Sequence, residues 1–390
     1  MRITVLLLSL LLLASKAWGG APITVGEMVK IPSKILQEER TILVSLPGGY
    51  ARSTERYPVL YFTDGDGHFT ALKGITDFLA GNGLMPNVIL VGVTNTDRVR
   101  DLTPTRVEVR RRNGVAQAFP TSGGGARFLE FFEKEVFPYV ENTYRTAPYR
   151  LFAGHSFGGL LALHALAVRP ELFQAYISAS PSLDWDNDYP LRMLKERLKA
   201  KGDLPRTLFV TMANEEKNIS WPTHFDRLRQ LLKGSRAKGF VWETKAMPEE
   251  DHGSVVMRSY YWGLHHIFDG WRMRGDGPLD LDAIKDHFQT LTQRMGYPIQ
   301  PREAEVNQVG YGLLGGGRLK DALEVFQYNA ELHPTSPNVH DSLGEALEQA
   351  KRPKEAQASY AKAVELALKA GDPLLETFRK NRDRVAEALK

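Results

Sequence analysis

Residues 149–168 read Tyr-Arg-Leu-Phe-Ala-Gly-His-Ser-Phe-Gly-Gly-Leu-Leu-Ala-Leu-His-Ala-Leu-Ala-Val, and the order of residue types in this stretch decides the fold. Tyr149 to Ala153 is a short apolar run with strand character, and Leu160 to Val168 continues as an apolar helix. Between them, Gly154-His155-Ser156-Phe157-Gly158 must turn strand into helix. Gly154 and Gly158 are small enough for the chain to double back there, which presents the Ser156 hydroxyl at the C-terminal edge of a sheet. The helix N-terminus beyond it favours negative charge. A glycine-rich turn with a capping serine has the same residue types; the strand before and the helix after separate the two readings.

Outward from this elbow, strand and helix signals alternate. Val25 to Pro32 and Thr41 to Pro47 read as an opening hairpin. Pro58 to Phe62, Asn87 to Val93, Ala175 to Ala179, Thr207 to Met212 and Phe240 to Lys245 are further strand runs. Ala126 to Tyr144 carries Phe128, Leu129, Phe131, Phe132, Val136, Phe137 and Val140 at near-helical spacing, and Val255 to Phe268 is another helix. The expected class is α/β, a mostly parallel sheet with helices on both faces. Arg98 to Gly125 interrupts the rhythm with Arg106, Arg110, Arg111, Arg112 and the glycines 123–125. It is expected to be an irregular insertion, either a binding loop or a solvated basic loop. Its glycines lack the Gly-Lys-Ser/Thr ending of a phosphate loop.

A serine hydroxyl is a poor nucleophile without a base. On sheets of this kind the chain order is Ser, then Asp or Glu, then His. His252 lies in Pro248-Glu249-Glu250-Asp251-His252-Gly253, between a strand and a helix, where a general base would be presented. His164, His265 and His266 sit mid-helix and His224 falls in a helical stretch. The acid is expected after the strand Thr207 to Met212, where Glu215 stands first and Glu216 second; with neither, the site is a Ser-His dyad. One oxyanion donor is the backbone N–H of Phe157, and the other comes from Asp64-Gly65-Asp66-Gly67-His68. Two carboxylates without a distal Glu do not make a calcium loop. His155 and His68 flank the site loops and are read as shaping the pocket.

The whole chain sets further bounds. Its 390 residues suggest two or three domains, and 43% hydrophobic with 25% charged residues excludes wholesale disorder, a coiled coil or a collagen-like repeat. A net charge of +4 is too small and scattered to argue for nucleic acid. With no cysteine there is no disulfide framework, thiolate metal site, cysteine nucleophile or lipoprotein anchor. No metal or cofactor is expected. Residues 1–19 read as a signal peptide: Arg2, an apolar run from Ile3 to Ala14 too short to span a bilayer, then Ala17-Trp18-Gly19. A periplasmic or secreted location, without stable membrane insertion after cleavage, is expected. Residues 20–274 form the catalytic domain and 275–300 a connecting helix, Leu281 to Met295. In 301–390, Gly310, Lys320, Ala322, Phe326 and Leu332 recur 34 residues later as Gly344, Lys354, Ala356, Tyr360 and Leu366. That period resembles the tetratricopeptide repeat, a small all-α domain suited to a protein partner, with Pro373 to Leu389 as a capping helix.

Taken together, the residues 22–270 resemble the esterase-D-like esterases of the α/β-hydrolase superfamily, a family that includes siderophore-ester hydrolases and relatives of feruloyl esterases. The resemblance is carried by Leu60-Tyr61-Phe62-Thr63-Asp64-Gly65, by the run Val91 to Thr105, by Gly154 to Gly159, by Ser180-Pro181-Ser182-Leu183 with Trp185, and by Asp251-His252. It implies ester hydrolysis by Ser156 with His252, and an oxyanion bound by backbone N–H groups of Phe157 and the Asp66 region. Asp184 departs from the pattern, because an apolar aromatic often follows the Ser-Pro-Ser-Leu run, and this bears on pocket polarity. Trp185 is a pocket candidate that could stack on an aromatic acyl group.

The expected function is therefore a serine ester hydrolase acting on a small-molecule ester. The alternatives are an acyltransferase using the same site, or a repeat-mediated binding protein with a vestigial hydrolase domain.

Overall fold

The structure is a computed structural model and describes residues 23–112, 115–200, 202–214, 220–273 and 279–390. The signal-peptide reading of residues 1–19 lies outside them. The chain opens with the antiparallel hairpin β1 (Glu27–Ser33) and β2 (Glu38–Ser45). There follow β3 (Tyr57–Phe62), α1 (Gly65–Gly81) and β4 (Ile89–Val93). Next come α2 (Arg98–Leu102) and the strands β5 (Val109–Arg112) and β6 (Val115–Ala118). Helices α3 (Gly125–Phe131) and α4 (Phe137–Thr143) are joined by a π turn over Phe132–Val136. The expected helix from Ala126 to Tyr144 is thus one helix with a wide turn, and the cause is Pro138. A proline there offers no N–H to the turn before it and crowds the carbonyl four residues back.

Then follow β7 (Thr146–His155), α5 (Phe157–Val168), β8 (Ala175–Ala179), α6 (Tyr189–Lys199), β9 (Thr207–Ala213), α7 (Ser220–Lys233), β10 (Val241–Met247) and α8 (Val255–Ile267). The main sheet has eight strands in the order β1-β2-β4-β3-β7-β8-β9-β10. From β4 to β10 every pairing is parallel; only the β1–β2 hairpin joins antiparallel, through β2 on β4.

The two-residue period of a strand divides the core. Val59 and Tyr61 of β3 enter one apolar cluster with Phe128, Phe132, Leu161 and Phe173, while Leu60 and Phe62 enter the other with Leu72, Ile177, Tyr260 and Leu264. Both faces are covered, so β3 is buried throughout and reads as a continuous apolar run. The chain leaves β3 to one side for β4 and later returns to its other side with β7, so the strand order reverses between β3 and β7. In open parallel sheets the ligand crevice lies beyond the carboxyl ends of the strands at such a reversal.

The insertion between β4 and α3 is more ordered than its composition suggested. It contains α2 and a two-stranded ribbon, β5 with β6, which pairs with no strand of the main sheet. Its first turn is fastened by Arg40, a cation 1% exposed that lies 2.5 Å from Asp101 and 2.8 Å from Glu38.

The C-terminal region is all-helical: α9 (Leu281–Met295), α10 (Glu303–Gly315), α11 (Leu319–Leu332), α12 (Pro337–Gln349), α13 (Pro353–Ala370) and α14 (Leu375–Ala388). The 34-residue recurrence has a physical counterpart here. A methyl group on Gly310 would meet the Phe326 ring at 2.7 Å, and one on Gly344 would meet the Tyr360 ring at 2.7 Å. In each pair a glycine lets an aromatic ring lie directly on the neighbouring helix backbone. The central helix α9 is shared: Ile284, Phe288 and Leu291 belong to the helical core, and Met295 to the core under α1 and α8.

Candidate active site

Thr63 follows β3 and Ser156 follows β7, so both sit at the reversal point of the sheet. The Thr63 N–H donates to the Ala153 carbonyl at 3.2 Å and ties the two strand ends together. Ser156 adopts φ +59° and ψ −113°, a conformation that costs a non-glycine residue about 1–3 kcal/mol. The Ser156 N–H donates to the Ala179 carbonyl at 3.0 Å, and its own carbonyl accepts from Leu160 at 2.9 Å, which starts α5. Any Cβ on Gly154 would sit 2.3 Å from the Gly158 backbone. The small residues around the serine are therefore demanded by the chain passing over itself.

His252 is brought to this serine from the loop after β10. Its Nε2 lies 3.0 Å from Ser156 Oγ. The loop is shaped by Asp251, whose Oδ1 accepts from the N–H groups of Gly253 and Ser254, both at 2.8 Å. These backbone donors hold the Asp251 carboxyl below the usual carboxylate range. The Asn214 N–H donates to the Glu250 carbonyl at 2.7 Å and fixes the same loop to the end of β9. The other histidines are engaged elsewhere. His224 Nε2 lies 2.7 Å from Asp188, His164 Nδ1 lies 3.1 Å from the Tyr189 hydroxyl, and His266 Nδ1 lies 2.9 Å from Glu243. Glu215 and Glu216, the expected acids, lie outside the described residues.

Two helix N-termini meet beside Ser156. Phe157 is the first residue of α5 and Asp66 the second of α1. First-turn N–H groups have no acceptor within their own helix and carry the positive end of its dipole. Arg98 links the two. Its guanidinium donates to Asp64 at 2.6 and 3.0 Å and to the His155 carbonyl at 3.1 Å, and it covers the Phe157 ring at 5.6 Å. Asn95 donates to Asp64 at 2.8 Å and to Asp66 at 3.2 Å. Burial pushes the Asp64 carboxyl up, but the Arg98 and Asn95 hydrogen bonds outweigh it and hold the group below its ordinary value.

His155 ends β7, one residue before Ser156, and His68 lies in the first turn of α1. The His155 ring is 4.6 Å from the His252 ring and 6.1 Å from that of His68. Burial first, and then the two histidine neighbours, push His155 down to about 3, so it is neutral in the working range. His68 Nδ1 lies 3.1 Å from the Tyr260 hydroxyl. Trp185 is wholly buried and backs the Phe157 ring at 5.2 Å. Phe119 is a residue that the sequence reading passed over. It lies edge-on to both Phe157 and Trp185, at 5.7 and 5.3 Å. Among the described residues no cluster of His, Asp and Glu is arranged to hold a metal, and no helix is long and apolar enough to cross a membrane.

With this geometry in view, the comparisons with known proteins are specific. The family model described as Putative esterase matches residues 33–272, well over half of the chain, and the chain belongs to that family. It is a serine hydrolase acting on ester bonds. The ferri-bacillibactin esterase BesA of Bacillus subtilis is 30% identical over 230 residues, covering 54% of this chain and 79% of that protein. The siderophore triacetylfusarinine C esterase of Aspergillus fumigatus is 27% identical over 256 residues, 56% of this chain and 84% of that protein. An IroE-like serine hydrolase from Shewanella oneidensis superposes with a TM-score of 0.69 at 31% identity, covering 79% of this chain and 99% of that one. A protein from Capnocytophaga ochracea, 16% identical, shares the fold over 93% of this chain with a TM-score of 0.65, so the likeness extends into the C-terminal helices.

Proposed function

We propose that Ser156 is the nucleophile and His252 the general base, with Glu215 as the acid expected from chain order. Ser156 Oγ attacks the ester carbonyl while its proton passes to His252 Nε2. The negative charge on the tetrahedral oxygen is met by the N–H groups of Phe157 and Asp66. On collapse the carbonyl re-forms, the C–O bond to the alcohol breaks, and His252 returns the proton to the leaving oxygen. Water then attacks the acyl-enzyme with His252 again as base, which frees the acid and Ser156. Nε2 can accept only if the imidazole hydrogen is on Nδ1, where the acid would take its hydrogen bond. The single observation behind this reading is the 3.0 Å approach of His252 Nε2 to Ser156 Oγ at an elbow held at φ +59°.

The substrate we propose is an ester of the siderophore kind, in line with what the relatives are named for. Phe157 and Phe119 offer aromatic surface beside the serine, and Arg98 offers a cation over the Phe157 ring. We place the hydrolase domain at residues 20–274, the connecting helix at 275–300 and a tetratricopeptide-like stack for a protein partner at 301–390. Residues 1–19 we read as a cleaved signal that delivers the enzyme to the periplasm or the outside of the cell.

Incubation with a panel of p-nitrophenyl esters and with a siderophore polyester, followed by mass spectrometry of the products, tests the reading. Ring-opened acids and alcohols that vanish in Ser156→Ala are expected. Unchanged turnover in that variant overturns the assignment, and acyl transfer to an added alcohol in preference to water overturns hydrolysis as the main outcome.

A further inference from the structure

Among the described residues the ribbon β5–β6 pairs with no strand of the main sheet, so no backbone ladder there holds it against the body. Side chains do so instead, and they converge on one spot. Arg110, 8% exposed, reaches Asp184 at 2.5 Å and lies 5.8 Å from the centre of the Trp185 ring. The Trp185 indole N–H donates to Thr105 Oγ1 at 3.0 Å. Phe119, just past β6, lies edge-on to Trp185 and to Phe157. Trp185 is thus the floor on which the insertion rests, and Phe157, the residue after Ser156, is the wall that Phe119 touches. The other Asp184 oxygen, Oδ1, is buried and without a hydrogen-bond partner among the described residues.

We propose that Asp184 is a positioning residue that sets acyl-group choice. Through its ion pair with Arg110 it holds the ribbon down, so that Phe119 and Phe157 form a fixed aromatic wall that selects esters with an aromatic ring next to the scissile carbonyl. The proposal rests on Ser156 being the nucleophile. Its physical basis is the cost of a poorly solvated lone charge: the Arg110 and Asp184 side chains are 9% and 15% exposed, so with one partner neutralised the other is left short of water, and movement of the ribbon supplies it. An aromatic edge contact is too weak to hold the ribbon alone. Asp184, with one oxygen already lacking a donor, has no second hydrogen bond among the described residues to soften that loss.

The test compares 4-nitrophenyl benzoate with 4-nitrophenyl acetate on the full chain. Asp184→Asn and Arg110→Gln should each lower kcat/KM for the benzoate about tenfold or more, chiefly through KM, while the acetate stays within about twofold. The double variant Arg110→Met/Asp184→Leu, which removes both charges, should recover part of the preference that either single variant loses. Hydrogen–deuterium exchange at the Phe119 amide, which donates to Glu108 at 2.7 Å, should quicken in the single variants. Phe119→Ala keeps the ion pair and should lose the benzoate preference too, so the proposal stands tested even if an Asp184 variant fails to fold. An unchanged benzoate-to-acetate ratio in Phe119→Ala, or in a folded Asp184→Asn, overturns it. If Ser156→Ala still cleaves both esters, the reading of the site itself fails, and that outcome is distinct from a Ser156-dependent activity whose ratio does not move.

Discussion

Arg98 grips Asp64 through two nitrogens, at 2.6 and 3.0 Å, and Asp64 is the left-handed residue (φ +57°) from which α1 starts. The same guanidinium donates to the carbonyl of His155, the residue before the serine. One side chain therefore sets the distance between the two helix N-termini proposed as the oxyanion hole.

Arg98→Gln should lower kcat about 10–100-fold on 4-nitrophenyl acetate, with KM nearly unchanged, because misplaced donors weaken transition-state binding alone. Arg98→Lys should rescue little, since an ammonium cannot make the paired contacts of a guanidinium. Steady-state kinetics decides it; a rise in KM with kcat intact would assign Arg98 to substrate binding.

Ser156→Ala and His252→Ala should each cut kcat on the order of 10⁶-fold, and the double variant should be no worse than either single one, because the two groups act as a unit. Additive losses measured in the double variant would contradict a shared step.

Glu215→Gln should slow turnover more than Glu216→Gln, by about 10³–10⁴-fold if Glu215 orients the His252 tautomer. Side-by-side rate constants check this, and two small equal losses would point to a Ser-His dyad.

His164 is 4% exposed, and burial pushes it down to about 4. The unfolded chain binds a proton at His164 near pH 6.5 and the folded chain only near pH 4, so unfolding takes up a proton between these values. The stability that neutral His164 contributes is whole above pH 6.5 and falls as pH drops toward 4, by on the order of 3 kcal/mol. His164→Gln should flatten the acid limb of a plot of urea midpoint against pH. An unaltered slope would mean that His164 is not the group responsible.

Truncation after Gln300 should leave activity on a small ester within about threefold, since the proposed machinery ends with α8, yet should lower solubility by baring the apolar surface that α10 and α11 cover on α9. A folded truncation, verified by circular dichroism, that has lost all activity would show that the helices help to build the site.

Much of this was legible in local patterns. The elbow announces itself because a Cβ on Gly154 would sit 2.3 Å from the Gly158 backbone, so only glycine fits there. The repeat is visible because the packing of ring on glycine recurs with the same spacing. His252 could be found because the other histidines between the serine and residue 274 fall within helices. What the sequence hid was pairing at a distance. Arg98 opens an insertion that reads as a binding loop or a solvated basic loop, and nothing local signals that Asp64, 34 residues earlier, holds it. Likewise Asp184 was marked only as a departure, because its partner Arg110 lies 74 residues away in a segment of few apolar residues. The insertion reads as irregular by composition, although Asn113-Gly114 between two short runs is a hairpin signal. The surrounding arginines masked the alternation.

Helix α9 has Ile284, Phe288 and Leu291 in one core and Met295 in the other, where α8 also packs. In mechanical terms α9 is a beam that bears on both halves, with Trp271 and Ile299 packed against both cores beside it. Tension applied to the C-terminal helices by a bound partner would pass along α9 to Met295 and so to α8, the helix that begins three residues after His252. A tug at residues 303–388 would therefore arrive beside the loop proposed to carry the general base rather than dissipate in a tether.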